Sequence, residues 1–495
     1  MRIFSCFLTI TLVIFTCGCS ESNLEQKSKT LSNYDIVATL DYENKTLSAK
    51  EKINYVNSAD VALSELKFHL YPNAFSEEAK LYKSVNSNQS ARAYPNGFSE
   101  GNIKISSVEV GGSESEFAIS GEDNNILVVT LEDALNPSSR ADIAINFSLT
   151  IPNCEHRFGY GENTLSLGNW YPIACVFEAG EFVTTGYSPN GDPFFSDVAN
   201  YNVLLTYPSK LKLASTGTLD KISTESETTT SLYSAKAVRD FACVFSEKFE
   251  IKSAPVGNTT LSYFYYNDSE PDKHLQVCID ALTTFNKLFG QYPYTVINIV
   301  KTNFLQGGME YPQIVFISDS IENESELINV IVHEISHQWW YGVVGNNECE
   351  NAWIDEGLAE YSTALFYDEN PSYSKTSREV IDNALSSYML FFDVYKDAYD
   401  DFDTSMNKNL HNFKTETEYV YLTYVKGILL FDSINDIIGK TNMQNSLHAL
   451  YIENMFSNIK PVDVIEAFEK TSHRHLASYI NSWLDGSVVF EELNG

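Results

Sequence analysis

Residues 333–337 read HEISH, within the run ELINVIVHEISHQWWYG. Histidines four residues apart share one face of a helix, close enough for both imidazoles to reach one metal ion. Glu334 is rotated by one residue, so its carboxylate addresses a water on that ion rather than the ion itself. The competing reading is a buried histidine pair satisfied by hydrogen bonds. A further carboxylate weighs against it. Glu356 follows His337 by nineteen residues, inside NAWIDEGLAEYSTALF, which reads as a second helix, and Gly357 permits close packing there. Two histidines and a glutamate leave one position of a tetrahedral zinc ion open for water, which marks a catalytic rather than a structural site.

The elements that must hold these residues are legible in part. The histidine helix is expected to start at Asn323 or Ser325 as N-cap and to stop at Gly342, with Ile328, Val332, Ile335 and Trp339 as its apolar stripe. From Tyr34 to Lys252 the chain reads as strands, in alternating runs such as DIVATLDYENKTLSAKEKINYVN around the turn Glu43-Asn44-Lys45. Clusters such as SPNGDP punctuate them. Beyond residue 252 the pattern changes. DKHLQVCIDALTTFNKLFG reads as a helix stopped at Gly290, TVINIVKT and QIVFISD as strands, and most of the remainder as helix. KDAYDDFDTSMNKN reads as an exposed acidic loop. The expected fold class is α+β, with a β-rich domain over 34–252 followed by a helix-rich domain over 253–495.

Residues 1–18 read as a signal peptide, with Arg2 before an apolar run from Ile3 to Phe15. TCGC followed by Ser20 resembles a lipoprotein cleavage site with Cys19 as the lipidated residue, although Thr16 stands where an aliphatic residue is usual. Export, with membrane anchoring through Cys19 or else simple secretion, is the expectation, with residues 19–33 as a polar tether. With 33 basic and 66 acidic side chains the formal net charge is −33, which excludes nucleic acid as a partner. Five cysteines lie beyond the signal region, an odd number with no C-x-x-C pair. Buried free thiols are expected, with a Cys154–Cys175 bridge as the open alternative.

H-E-x-x-H, eighteen residues, then E resembles the pattern of the gluzincin aminopeptidases of the aminopeptidase N family. Two further motifs stand in order around it. GGMEYP, Gly307 to Pro312, is similar to the family's G-x-M-E-N exopeptidase signature, with Tyr311 in place of the usual Asn. YVKG, Tyr424 to Gly427, is similar to its Y-x-K-G segment. GNWYP and SPNGDPFFSD resemble its first domain. The resemblance spans roughly residues 34–490. It implies a β-rich saddle or sandwich domain and a thermolysin-like zinc peptidase domain, in a short form without the large helical C-terminal domain of many relatives.

The resemblance also implies roles. His333, His337 and Glu356 would hold one Zn²⁺ per chain, and hydrolysis would proceed through a zinc-activated water. Glu334 would be the general base, and Tyr424 would hydrogen-bond the tetrahedral oxyanion. Neighbouring Tyr419 and Tyr421 lack Lys426 and Gly427 at the family spacing. Gly307, Gly308, Met309 and Glu310 would bind substrate near an edge strand, with Glu310 on its free α-ammonium, so that peptides with a free N-terminus are the implied partners. A second ammonium contact from the first domain is expected, with Glu162 as a candidate. Glu360, four after Glu356, is either a partner of a zinc histidine or a solvated charge; relatives place a carboxylate where this chain has Thr363. His473 and His475 read as surface residues. The expected activity is a zinc aminopeptidase. The rivals are a zinc endopeptidase and a non-enzymatic surface protein that binds peptides.

Overall fold

A computed structural model describes residues 22–79, 92–188, 190–400 and 402–488. The signal-peptide reading and Cys19 lie outside these residues. The expected tether differs from what is seen. Asn23–Ser28 is a short helix, capped by Ser22, whose side chain accepts from the Glu25 amide. It is fastened by a Lys236–Glu25 ion pair at 2.8 Å and by Asn200 Nδ2 donating to Ser28 O at 2.7 Å. A polar stretch without apolar periodicity carries no sign of such long-range partners.

The first domain is built on an eight-stranded sheet. Its centre sets Ala199–Pro208, Asn33–Asp41, Thr46–Val56 and Arg140–Thr150 side by side. Strand Asn33–Asp41 buries every second residue, so the alternation read from the sequence is the inward face of this sheet. Among the described residues, two four-stranded sheets and the two-stranded ribbon Phe177–Glu178/Glu181–Phe182 complete the domain. One of the four-stranded sheets joins Leu165–Leu167 to Cys243–Ser246 and abuts the second domain.

The second domain opens with a five-stranded sheet that begins at Glu250, inside the stretch read as the first domain. Its order is Glu250–Val256, Thr259–Tyr265, Val296–Thr302, Ile314–Ser318, and the two-residue edge strand Gly308–Met309. Helix Pro271–Leu288 and the histidine helix Glu324–Ser336 pack against it, and the glutamate helix Trp353–Glu369 packs on those two helices. The architecture is therefore α+β, a β-rich domain followed by a helix-rich one.

Three local expectations change. The histidine helix starts at Asn323 as expected, with its side chain accepting from the Glu326 amide, but it ends at Ser336 and leaves His337 as its C-cap. Trp339 and Trp340 decide this. Their indoles are buried and donate to different elements, to Gly290 O at 2.8 Å and Ser362 Oγ at 3.0 Å. The acidic loop is shortened, because helix Ser377–Ala398 takes its first residues and Thr404 and Met406 are buried. Cys154, Cys175, Cys243, Cys278 and Cys349 are all buried free thiols, so no Cys154–Cys175 bridge forms.

The two domains meet along a polar seam. Arg239 of the first domain is buried and donates to Tyr341 O at 2.7 Å and Ser457 O at 2.7 Å of the second. A cavity of about 680 Å³ lies on this seam, lined by Tyr34, Tyr55 and Asp197 on one side and Asn347, Phe456 and Lys460 on the other. It holds none of the residues with catalytic spacing. Those surround a smaller cavity of about 310 Å³.

Candidate active site

The last turn of the histidine helix and the first of the glutamate helix bring three donor atoms together. His333 Nε2 lies 3.0 Å from His337 Nε2 and 3.2 Å from Glu356 Oε2, and His337 Nε2 lies 3.3 Å from the same oxygen. His337 Nδ1 donates to Trp340 O at 2.9 Å, which leaves its Nε2 lone pair facing the other two atoms. Three lone-pair donors this close repel one another unless a cation lies between them. Tetrahedral zinc with bonds of about 2.0–2.1 Å sets its ligand atoms about 3.3–3.4 Å apart, so the triad has the size and chemistry of a zinc site.

Two carboxylates flank the triad in different ways. Glu360 Oε1 is 3.0 Å from His333 Nδ1, on the side of the ring away from the triad. Thr363 bonds its own helix at Ala359 O, 3.0 Å away. Glu334 is buried, and its Oε2 has no hydrogen-bond partner among the described residues. Burial pushes its carboxyl up to about 7 against the pull of the two histidines. It faces the edge strand Gly308–Met309. A Cβ on Gly308 would stand 2.3 Å from Glu334 Oε1, so a glycine is required for the strand to pass.

Tyr424 closes another side. It sits in a wide π-helical turn, Tyr421–Val425, which feeds helix Lys426–Ile438. Such turns collect at functional sites. Its hydroxyl donates to Glu356 Oε1, and its ring stacks on His333 at 5.7 Å between centroids. Tyr421 turns away to stack on Phe391. Gly357 and Gly427 let the two helices touch: a Cβ on Gly427 would lie 2.7 Å from the Gly357 Cα.

Glu310 follows the edge strand and is 3% exposed. Its Oε1 is buried with no hydrogen-bond partner among the described residues. Burial pushes its carboxyl well above the usual range, and the Asp192 carboxylate adds to the shift. Gly307, Gly308 and Glu310 line the 310 Å³ cavity together with the triad, Glu334 and Tyr424, while Met309 is buried behind it.

Residues from the first domain also line this cavity, and the sequence did not single them out. Asp192 forms an ion pair with Arg157, which also donates to Tyr187 Oη at 3.0 Å and contacts Met309 Sδ at 3.1 Å. Asp192 sits in SPNGDP, a stretch that reads as turn chemistry, so its carboxylate gave no separate signal. Tyr419 lines the cavity as well, with its hydroxyl against Gly191. Glu162 is elsewhere, with its side chain 86% exposed and 3.8 Å from Lys248. His473 caps a helix end at the surface.

Residues 274–483 match the peptidase family M1 domain. Among curated proteins the chain is 27% identical over 181 residues to leukotriene A-4 hydrolase of Xenopus laevis, covering 35% of this chain and 27% of that protein. It is 33% identical over 107 residues to aminopeptidase B of Homo sapiens, covering 20% and 16%. It is 26% identical over 208 residues to leucine aminopeptidase 2 of Aspergillus fumigatus, covering 41% and 32%. The chain thus spans about a third or less of the length of these relatives. Among solved structures, an M1 zinc metallopeptidase from Deinococcus radiodurans superposes with a TM-score of 0.65 at 15% identity, covering 93% of this chain and 94% of that one. A point mutant of it bound to a Tyr-Ser-Ala substrate matches with a TM-score of 0.65 at 14% identity, covering 93% and 95%. The donor triad thus lies within the residues that match the peptidase family M1 domain, in a chain with the fold of a two-domain M1 zinc metallopeptidase.

Proposed function

We propose that the protein is a zinc-dependent aminopeptidase that removes residues from the free N-terminus of peptides. A zinc ion held by His333, His337 and Glu356 supplies Lewis acidity and an activated water. Glu334, desolvated and with one oxygen unpaired, takes the proton and passes it to the leaving amine. Tyr424 turns its hydroxyl from Glu356 toward the developing oxyanion. Gly307 and Gly308 let a substrate backbone lie along the edge strand.

The observation that carries the exopeptidase reading is the unpaired Glu310 oxygen, with Asp192 in the same cavity. A buried carboxylate without a cation is costly, and an α-ammonium group supplies the cation only at a chain end. The tripeptide bound by the Deinococcus relative is a ligand of the kind this cavity would take. The deciding assay compares an aminoacyl-arylamide with its N-acetylated form, with and without chelator. Free-amine substrate should be cleaved, blocked substrate spared, and both silent once metal is removed. Equal cleavage of the two substrates refutes the aminopeptidase in favour of an endopeptidase. Silence of the metal-loaded protein on every peptide refutes both.

Export with a lipid at Cys19 is proposed from the sequence alone. Labelling cells with an alkyne fatty acid tests it: Cys19→Ala should abolish incorporation, and an unlabelled wild-type protein overturns the idea.

A further inference from the structure

Glu310 sits on neither a strand nor a helix. It opens the connection between the edge strand Gly308–Met309 and strand Ile314–Ser318. A two-residue strand is a weak mount for a carboxylate that must meet an ammonium group within a fraction of an ångström. Its own domain ties the backbone of the connection through Gln338, whose Nε2 donates to Tyr311 O at 3.1 Å and whose Oε1 accepts from the Gln313 amide at 2.8 Å, and the first domain holds it as well. Tyr311 Oη donates to Asn169 Oδ1 at 2.6 Å. Asn169 Nδ2 donates to Asp240 Oδ2 at 2.7 Å, and Asp240 Oδ1 accepts from Tyr171 Oη at 2.8 Å and from the Phe241 amide at 2.6 Å. Pro312 O accepts from Thr216 Oγ1 at 2.9 Å, and Gln313 Oε1 from the Gly217 amide at 2.8 Å. Asn169, Asp240, Tyr171, Thr216 and Gly217 all belong to the first domain.

The chain of bonds has a direction. A carboxylate accepts only, so Asp240 turns the amide of Asn169 with its nitrogen inward and its oxygen toward Tyr311. The tyrosine must then donate. There is no slack at the contact: Tyr311 is fully buried, and a Cβ on Gly168 would stand 2.0 Å from its hydroxyl. None of Tyr311, Asn169 and Asp240 lines the cavity.

We propose that Tyr311, Asn169 and Asp240 are positioning residues that fix the Glu310 carboxylate for the substrate ammonium. The first domain thereby controls recognition of the chain end through residues that never touch the substrate. The proposal rests on the aminopeptidase reading. Tyr311→Phe keeps the ring and leaves Asn169 Oδ1 without its donor. Asp240→Asn keeps shape and removes the constraint on the direction of the Asn169 amide.

The readout is binding of an aminoacyl hydroxamate and of its N-acetyl form to zinc-loaded protein, measured by calorimetry. Wild type should favour the free amine. In each variant that preference should shrink about tenfold, roughly the worth of one buried hydrogen bond to a charged group, while affinity for the acetylated ligand and zinc content stay unchanged. If either folded variant keeps the wild-type preference, or loses affinity for both ligands equally, the proposal falls. If wild type itself shows no preference, the aminopeptidase reading falls instead.

Discussion

The Tyr424 hydroxyl is the donor that this site holds in reserve. It is bonded to Glu356 Oε1, an oxygen of the carboxylate that completes the triad, and can exchange that partner for an oxyanion without moving its ring from His333. Tyr424→Phe should therefore retain zinc and substrate affinity and lower kcat by about 10²–10³-fold, the usual loss for one oxyanion donor. Steady-state kinetics on an aminoacyl-arylamide decide it: a change confined to KM would assign the role elsewhere, with Tyr419 next in line. The zinc-binding pattern was legible from local spacing, whereas Tyr424 and Glu310 were legible only through the resemblance of the YVKG and GGMEYP motifs that carry them. His333, Glu334 and His337 are a single helical turn apart. Asp192 and Arg157 are not, because they meet only when two distant turns of the first domain fold beside Met309.

At the scale of elements, the wide turn Tyr421–Val425 depends on what fastens the helix after it. Lys426 Nζ donates to Thr404 O at 2.7 Å and is 0% exposed. Burial pulls its pKa down to about 8. Between pH 8 and the unfolded value near 10.5 the unfolded chain holds a proton that the native chain has released, so native stability rises with pH across this window. The unfolding free energy of wild type minus that of Lys426→Met should accordingly increase from pH 8 to pH 10, by at most about 1.4 kcal/mol per unit. Denaturant melts at several pH values test this, and a flat or falling difference would show the lysine to be solvated. Periodicity and a capping asparagine made the start of the histidine helix readable. Its end was not, because the two indoles that terminate it find their acceptors on other elements.

Across the whole molecule, the first domain is part of the candidate site. Asp192 and Arg157 line the cavity, the Glu310 turn hangs on Asn169, Thr216 and Gly217, and Arg239 bonds three carbonyls. Arg239→Met would leave the Tyr341 and Ser457 carbonyls without this donor. It should destabilise the protein by at least one charge-assisted bond, about 1.5–3 kcal/mol. Because the domains are coupled through that seam, calorimetry should then resolve two unfolding transitions where wild type gives one; an unchanged single transition would show the clasp to be redundant. The strand and helix classes of the two halves could be read from alternation and helical spacing, but the seam could not, since its bonds join residues as distant as Asn458 and Ser196, 262 positions apart. The buried cysteines give this coupling a natural clock. Cys154, Cys175 and Cys243 lie in one half and Cys278 and Cys349 in the other, each unreactive while burial raises its thiol. An alkylating reagent can reach each of them only when its surroundings open, so the order of labelling, read by mass spectrometry, times the opening of each half without any added probe.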